Sequence, residues 1–334
     1  MSRAGGLSPQ AHTGDFFVCD FLGVSPKHDL ASMEHPLFSL ATRPDRRILN
    51  YTHNDVAVTV TPSVRGRATI FDADVLIFCI SQLMAALNAG REISRTLTLT
   101  AHDLLLATGR ETGGDSYRRL REAFERLAGT RITTNIVTGD KEITSGFGLI
   151  EAWEIVRKTR AGRMVSVRVT LSDWLYQAVL SRSVLTLNRD YFSLRRPLER
   201  RLYELCRKHC GKQRIWRVSL ETLLKKSGST SPRRVFRAMV REIIKADSLP
   251  DYTLTEAPGD IIEVTRKRAE VIETSLNGPD ARGLQLASET LEAARAMAPG
   301  WDIYALEAQW RAMAGRRPPR DPDAAFLGWI TKRL

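Results

Sequence analysis

Arg234, Arg237, Arg241 and Lys245 in "SPRRVFRAMVREIIKAD" follow one another at intervals of three and four residues, the spacing that gathers side chains on one side of an α-helix. Phe236, Met239, Val240 and Ile243 fall between them on the other side, so one face packs and one stays charged. Arg233 adds a cation at the helix start. Such a face neutralises phosphates, and an Arg fork bonds guanine O6 and N7 in a major groove. A solvated charged surface has the same pattern, and a lone helix would not separate the two readings.

A second basic helix is written in "GDSYRRLREAFERLAG". Tyr117, Leu120, Phe124 and Leu127 mark its apolar face, with Arg118, Arg119 and Arg126 on the other side. Glu122 and Glu125 lie among these cations, where they repel phosphate or accept from cytosine N4. The helix carrying Arg234 is therefore the stronger reader. "TRITTNIV" and "EITSGFGLIEAWEIV" follow as strands, joined by a tight turn at residues 138–141, which is the hairpin that closes a winged helix. Lys141 at its tip, with Lys158, Arg160 and Arg163 of "KTRAGR", is placed to reach a DNA backbone or minor groove, although exposed turns carry such charges for solubility too.

Residues 195–214 hold eight basic and two acidic residues, a charge that serves either phosphate contacts or internal pairing. Cys206, His209 and Cys210 share a helical face there. A closed zinc site needs a fourth ligand that is not evident, and the Leu198, Leu202 and Leu205 stripe accounts for the same face as core.

The elements that must position these side chains occur twice. A helix from Asp72 to about Gly90, the strand "RTLTL", the helix "TAHDLLLATG" capped by Thr100, and the arginine helix form one run. "RRPLERRLYELCRKHCG", "IWRVSL", "LETLLKKSG" and the helix of Arg234, here capped by Ser231 with Pro232 in the first turn, form the other, which closes in "DYTLTEAPGDIIEVTRK" as a hairpin. Gly109 and Gly228 are related by an offset of 119 residues (228 − 109), and so are Thr100 and Ser219, Leu104 and Leu223, Leu105 and Leu224, Tyr117 and Phe236, Leu120 and Met239, and Phe124 and Ile243. Matching cap and core positions together predict a duplicated module.

The expected fold is α+β: tandem winged-helix domains over residues 71–170 and 171–266, after a partly ordered extension over 1–70. A linker over 267–283 leads to a small helical segment over 284–334. Within the extension only "VAVTVTP", Val56 to Pro62, alternates as a strand does.

The formal charge is +12 with a pI near 9.9, which favours an acidic partner such as nucleic acid. The longest apolar run, "VLIFCI", is far short of the roughly 20 residues that span a bilayer, so no membrane association is expected. The first residues read as a flexible leader without a signal peptide, and four cysteines show no disulfide spacing, both of which suit the cytoplasm. There is no G-x-x-x-x-G-K-[ST] loop and no His-x-His pair among the six histidines. The expectation is a non-enzyme with no cofactor and no bound metal.

"DFFVCD", "ASMEHPLFSLATRPDRR", "LTAHDLLLATGRETGGDSYRRLREAFERLAGTRITTNI", "RDYFSLRRPLERRLYELCRKHCG" and "SLETLLKKSGSTSPRRVFRAMVREI" resemble the replication initiator protein A family of bacterial plasmids over residues 15 to 265. The resemblance implies an initiator that binds repeated double-stranded sites at a plasmid origin, opens the duplex and recruits the host initiator and helicase. It also implies exchange between monomer and homodimer. A winged-helix transcription regulator that represses its own gene without starting replication is the alternative, and a scaffold whose winged helices bind protein is a third.

Overall fold

Residues 24–70 supply side chains to two hydrophobic cores rather than forming a separate extension. Strand β1 (Phe16–Phe17), strand β2 (Lys27–Asp29), the short helix α1 (Leu30–Glu34) and strands β3 (Leu49–His53) and β4 (Val56–Thr61) come first. Met33 is buried in one core, and Leu37, Phe38, Tyr51, Val58 and Val60 in the other. The computed structural model describes residues 16–17, 24–53, 56–138, 141–157, 164–211, 213–267, 303–314 and 321–333, and the single positions 286, 290, 293, 294, 297 and 319. The chain divides into two units, Met1–Arg268 and Ala269–Leu334.

Helix α2 (Ala73–Asn88) is buried on almost every side, as expected of a helix apolar all round. It sends Val75, Leu76, Cys79, Ile80 and Leu83 into the first core and Ile77 into the second. Asp72 heads it without capping it. Its carboxylate instead accepts from Thr69 N–H at 2.8 Å and from Arg126.

After α2 the two expected runs appear in order. In the first, strand β5 (Thr96–Leu99) leads into helix α3 (Ala101–Ala107), where Thr100 Oγ1 accepts from the Asp103 N–H, and then helix α4 (Gly114–Gly129). Strands β6 (Arg131–Thr138), β7 (Lys141–Gly148), β8 (Ile150–Arg157) and β9 (Met164–Leu171) follow. Helix α5 (Asp173–Leu180) and strand β10 (Val184–Thr186), paired with β2, lead through a 3-10 turn at Arg189–Ser193 to helix α6 (Pro197–Cys210). The second run is strand β11 (Ile215–Ser219), helix α7 (Leu220–Ser227), capped by Ser219, helix α8 (Arg233–Ala246), and strands β12 (Tyr252–Ala257) and β13 (Ile261–Arg266). Helix α8 begins one residue later than expected, with Pro232 rather than Ser231 at the cap position.

The offset of 119 residues carries the start of β5 onto β11, α3 onto α7 and α4 onto α8. Gly109 and Gly228 both adopt the left-handed conformation, with φ of 64° and 69°, where a Cβ would be strained. In the second run β11 pairs with β13, and β13 with β12. In the first, β5 pairs with β9, and β9 with β8. The hairpin equivalent to β12–β13 is therefore β8–β9.

This corrects the reading of residues 142–156 as one strand. The chain breaks at the fully buried Leu149, and β6–β7 is an inserted hairpin in a four-stranded sheet of order β3-β4-β6-β7. Both hairpins are β-branched, so local sequence does not say which returns to β5. Long-range pairing separates them: β9 pairs with β5, bringing Val167 and Val169 beside Leu97 and Leu99 in the first core, whereas β6 pairs with β4. Helix α5 also packs there through Leu175 and Val179, so the buried residues after 171 join the second core only from Leu187 onward, alongside Met33 and Ile77 from earlier in the chain.

The Ala269–Leu334 unit holds helices α9 (Ile303–Ala314) and α10 (Pro322–Thr331), packed through Leu306, Trp310, Phe326 and Ile330. Pro299 and Gly300, expected to break the helical pattern here, lie outside the described residues, as do 268–283 of the expected linker. No helix among the described residues is long and apolar enough to cross a membrane.

Candidate nucleic-acid interface

Helix α8 buries Phe236, Val240 and Ile243 in the second core and exposes Arg233, Arg234, Val235, Ala238, Arg241, Glu242 and Lys245. The outward stripe is thus Arg234, Ala238, Arg241 and Lys245, one or two turns apart, with a small residue at its centre that lets a partner approach the helix closely. Arg234 and Lys245 have no ion-pair partner among the described residues. Arg237 is half-buried on the flank that meets the β12–β13 hairpin.

The hairpin supplies carboxylates that sequence reasoning did not assign. Arg241 makes a forked pair with Glu256, at 2.6 and 3.1 Å. Asp260, in the turn at φ 59°, takes Arg237 at 2.5 Å on one oxygen and Arg233 on the other. The bond from Arg241 holds the Glu256 carboxyl below its usual range, so both partners stay charged at neutral pH. Exposed pairs of this kind contribute little to stability. They orient the guanidinium groups. The legible signal was "EAPGD", an acidic turn one hairpin arm away from the basic helix.

The first run places its cations differently. Arg118 pairs with Asp115 and, at 2.8 Å, with Glu122, while Arg119 meets Asp115 at 2.6 Å. By the 119-residue offset Asp115 stands where Arg234 does and Glu122 where Arg241 does. The outward face of α4 is therefore self-neutralised within its own helix. Arg126, equivalent to Lys245, is 17% exposed and binds Asp72 through two bonds of 2.7 and 2.8 Å. It fastens α4 to the start of α2 and presents no free charge. Lys141 opens β7, in the inserted sheet, and its side chain lies outside the described residues, as do Lys158, Arg160 and Arg163 between β8 and β9.

Within residues 195–214, the cations inside helix α6 are used for internal pairing, while Arg195 and Arg214 are exposed. Arg200 is buried and donates to Asp74 of α2 at 2.5 Å, and Asp74 also accepts from Arg110 at 2.8 Å. Arg201, buried too, donates to the carbonyls of Ser32, Met33, Glu34 and Lys226 and to Glu204 at 3.0 Å. A buried cation is tolerated when every donor is satisfied in this way. Lys208 and His209 face Glu34 at 2.9 and 3.2 Å. The charge of α6 is thus spent on joining α1, α2 and α7 around it.

Cys206 and Cys210 are buried in the second core, and burial pushes both thiols up, away from the thiolate form that binds metal. His209 stacks on Trp216 at 4.8 Å. Among the described residues, no group of three His, Cys, Asp or Glu side chains is placed to hold a metal ion.

A family model described as Replication initiator protein A matches residues 27–254. A putative replication protein of Wigglesworthia glossinidia brevipalpis is 36% identical over 244 residues, which span 72% of this chain and 88% of the relative. Among solved structures, domains 2 and 3 of RctB superpose with a TM-score of 0.52 at 14% identity, covering 72% of this chain and 98% of the other. That likeness is one of mixed α/β fold. A second crystal structure of the same RctB domains gives a TM-score of 0.49, at 14% identity and over 70% and 95% of the two chains.

Proposed function

The chain belongs to the replication initiator protein A family, and from that premise we propose that it is a plasmid replication initiator that binds repeated double-stranded DNA sites at an origin. Each strand–helix–turn–helix–hairpin run is read as a winged helix. Helix α8 enters a major groove and reads bases, and the α4 module sets register on an adjacent groove. Two linked modules gain affinity through effective concentration without further contacts. The observation that carries this reading is the outward stripe of Arg234, Arg241 and Lys245 on the second of two repeated modules. The protein then opens the duplex nearby and recruits the host initiator and helicase. It acts in the cytoplasm by binding rather than by catalysis.

The test is autonomous replication. A plasmid whose only origin is this gene with its flanking DNA is expected to establish in a permissive host, and the Arg234→Ala/Arg241→Ala variant to fail. Failure of the wild-type plasmid, with the gene's own promoter still repressed, would make the protein a transcription regulator instead.

A further inference from the structure

The loop at residues 41–47, "ATRPDRR", carries no role in the reading above, yet it is built rigidly beside α8. Asp45 is buried and accepts from Arg67 at 2.7 Å, from Arg47 at 2.9 Å and from the Ser39 hydroxyl at 3.3 Å. Arg67 N–H returns a bond to the Asp45 carbonyl at 2.8 Å. Gly66, at φ 96°, backs the loop so closely that a Cβ there would lie 3.0 Å from the Asp45 nitrogen and 3.2 Å from Pro44. The one acidic side chain of the loop is therefore consumed underneath it. Arg43 and Arg46 are left exposed, with no ion-pair partner among the described residues.

The position of the loop is as telling as its charge. Arg47 donates to Thr230, in the turn that leads into α8, at 3.2 Å. The loop lines one cleft of about 360 Å³ with that turn and with Met239 and Glu242 of α8. It lines a second, of about 860 Å³, with Arg119 and Glu122 of α4. On α8, Met239 and Glu242 occupy the flank opposite Arg233 and Arg237, which meet the β12–β13 hairpin. Glu242 is itself occupied by Arg196 at 3.4 Å. The helix thus runs between the hairpin on one flank and a basic loop on the other, and the loop also borders the first module.

We propose that this loop is a third DNA contact, in which Arg43 and Arg46 neutralise phosphates of the backbone strand running beside the groove that α8 enters. This rests on the reading of α8 as a groove reader. A major groove about 12 Å wide is bounded by a backbone strand on each side, and phosphate contacts on the flanks of a helix seated in it fix its register. The loop provides that contact on the flank facing α4.

The experiment is fluorescence anisotropy of the full chain on two duplexes of about 30 base pairs, titrated across salt. One duplex carries a footprinted site from the DNA flanking the gene, and the other is its scrambled copy. Arg43→Ala/Arg46→Ala is expected to weaken both duplexes by the same factor and to reduce the slope of log K against log salt by about two, near 0.9 per lost phosphate. Arg43→Lys/Arg46→Lys is expected to restore the slope. An unchanged slope and affinity, in a preparation where Arg234→Ala/Arg241→Ala does weaken binding, would overturn the loop contact alone. Loss confined to the site-bearing duplex would also overturn it, because the two residues would then read bases. Failure of the wild-type chain to bind either duplex would overturn the α8 reading and the loop with it.

Discussion

Glu256 and Asp260 govern what the arginines of α8 can do, because each carboxylate holds a guanidinium that would otherwise be a free cation. Glu256→Gln is expected to free Arg241 for any phosphate and to strengthen binding to scrambled DNA up to about fivefold at low salt, the worth of an exposed pair. Unchanged nonspecific affinity would show that the pair does not compete with DNA. The complementary change, Arg234→Ala with Arg241→Ala, is expected to cost about 1–3 kcal/mol per lost base contact on a specific site and less on random sequence. Equal loss on both would demote these residues to phosphate contacts. A separate residue-level effect concerns acid stability. Burial pushes the His35 imidazole down to about 4, whereas an unfolded chain titrates near 6.5. The unfolded state takes the proton first, so this residue's contribution is fully present above about pH 6.5 and is lost as pH falls toward 4. Thermal unfolding is expected to show a loss of about 1–2 kcal/mol over that window, discounted for partial exposure, and His35→Gln to remove it. A variant with an undiminished acid slope would place the titration elsewhere.

At the scale of elements, the two glycines that end α3 and α7 have the same conformation but different surroundings. A Cβ on Gly228 would sit 2.5 Å from the Pro36 Cβ, whereas one on Gly109 meets only the Phe192 Cβ, at 3.8 Å. Gly109→Ala is expected to cost about 1 kcal/mol of backbone strain, and Gly228→Ala clearly more, because Pro36 must move as well. Denaturant midpoints would check this, and equal costs would mean that the N-terminal segment yields freely. The glycines, the caps at Thr100 and Ser219 and the apolar stripes were legible in sequence because each is a local requirement of helix and turn. The partner of β5 was not legible, since β6–β7 and β8–β9 have the same β-branched character and only the long-range strand pairing separates them. The fate of the cations was half legible. Arg118 and Arg119 carry Asp115 and Glu122 at helical spacing in plain view, but the Arg126–Asp72 bond spans 54 positions. The use of α6 likewise depends on Asp74, Glu34 and backbone carbonyls far away in the chain.

For the Met1–Arg268 unit as a whole, the same order of strand, two helices and hairpin occurs twice, and the two runs carry unequal charge. The α8 face keeps free cations and the α4 face cancels its own. Buried pairs join the two runs, above all Arg200 with Asp74, which is shared with Arg110 at the entry to α4. A unit joined in this way presents its two helices at a fixed spacing, which suits sites that recur along a duplex with a constant helical phase. The most direct measurement is DNase footprinting of the full chain on the DNA flanking its own gene, at low and near-physiological salt. Periodic protected sites that persist at the higher salt, and that disappear with Arg234→Ala/Arg241→Ala, are the expected result. Featureless protection that vanishes with salt, or a periodic pattern untouched by that variant, would contradict the assignment of α8 as the reader of origin repeats.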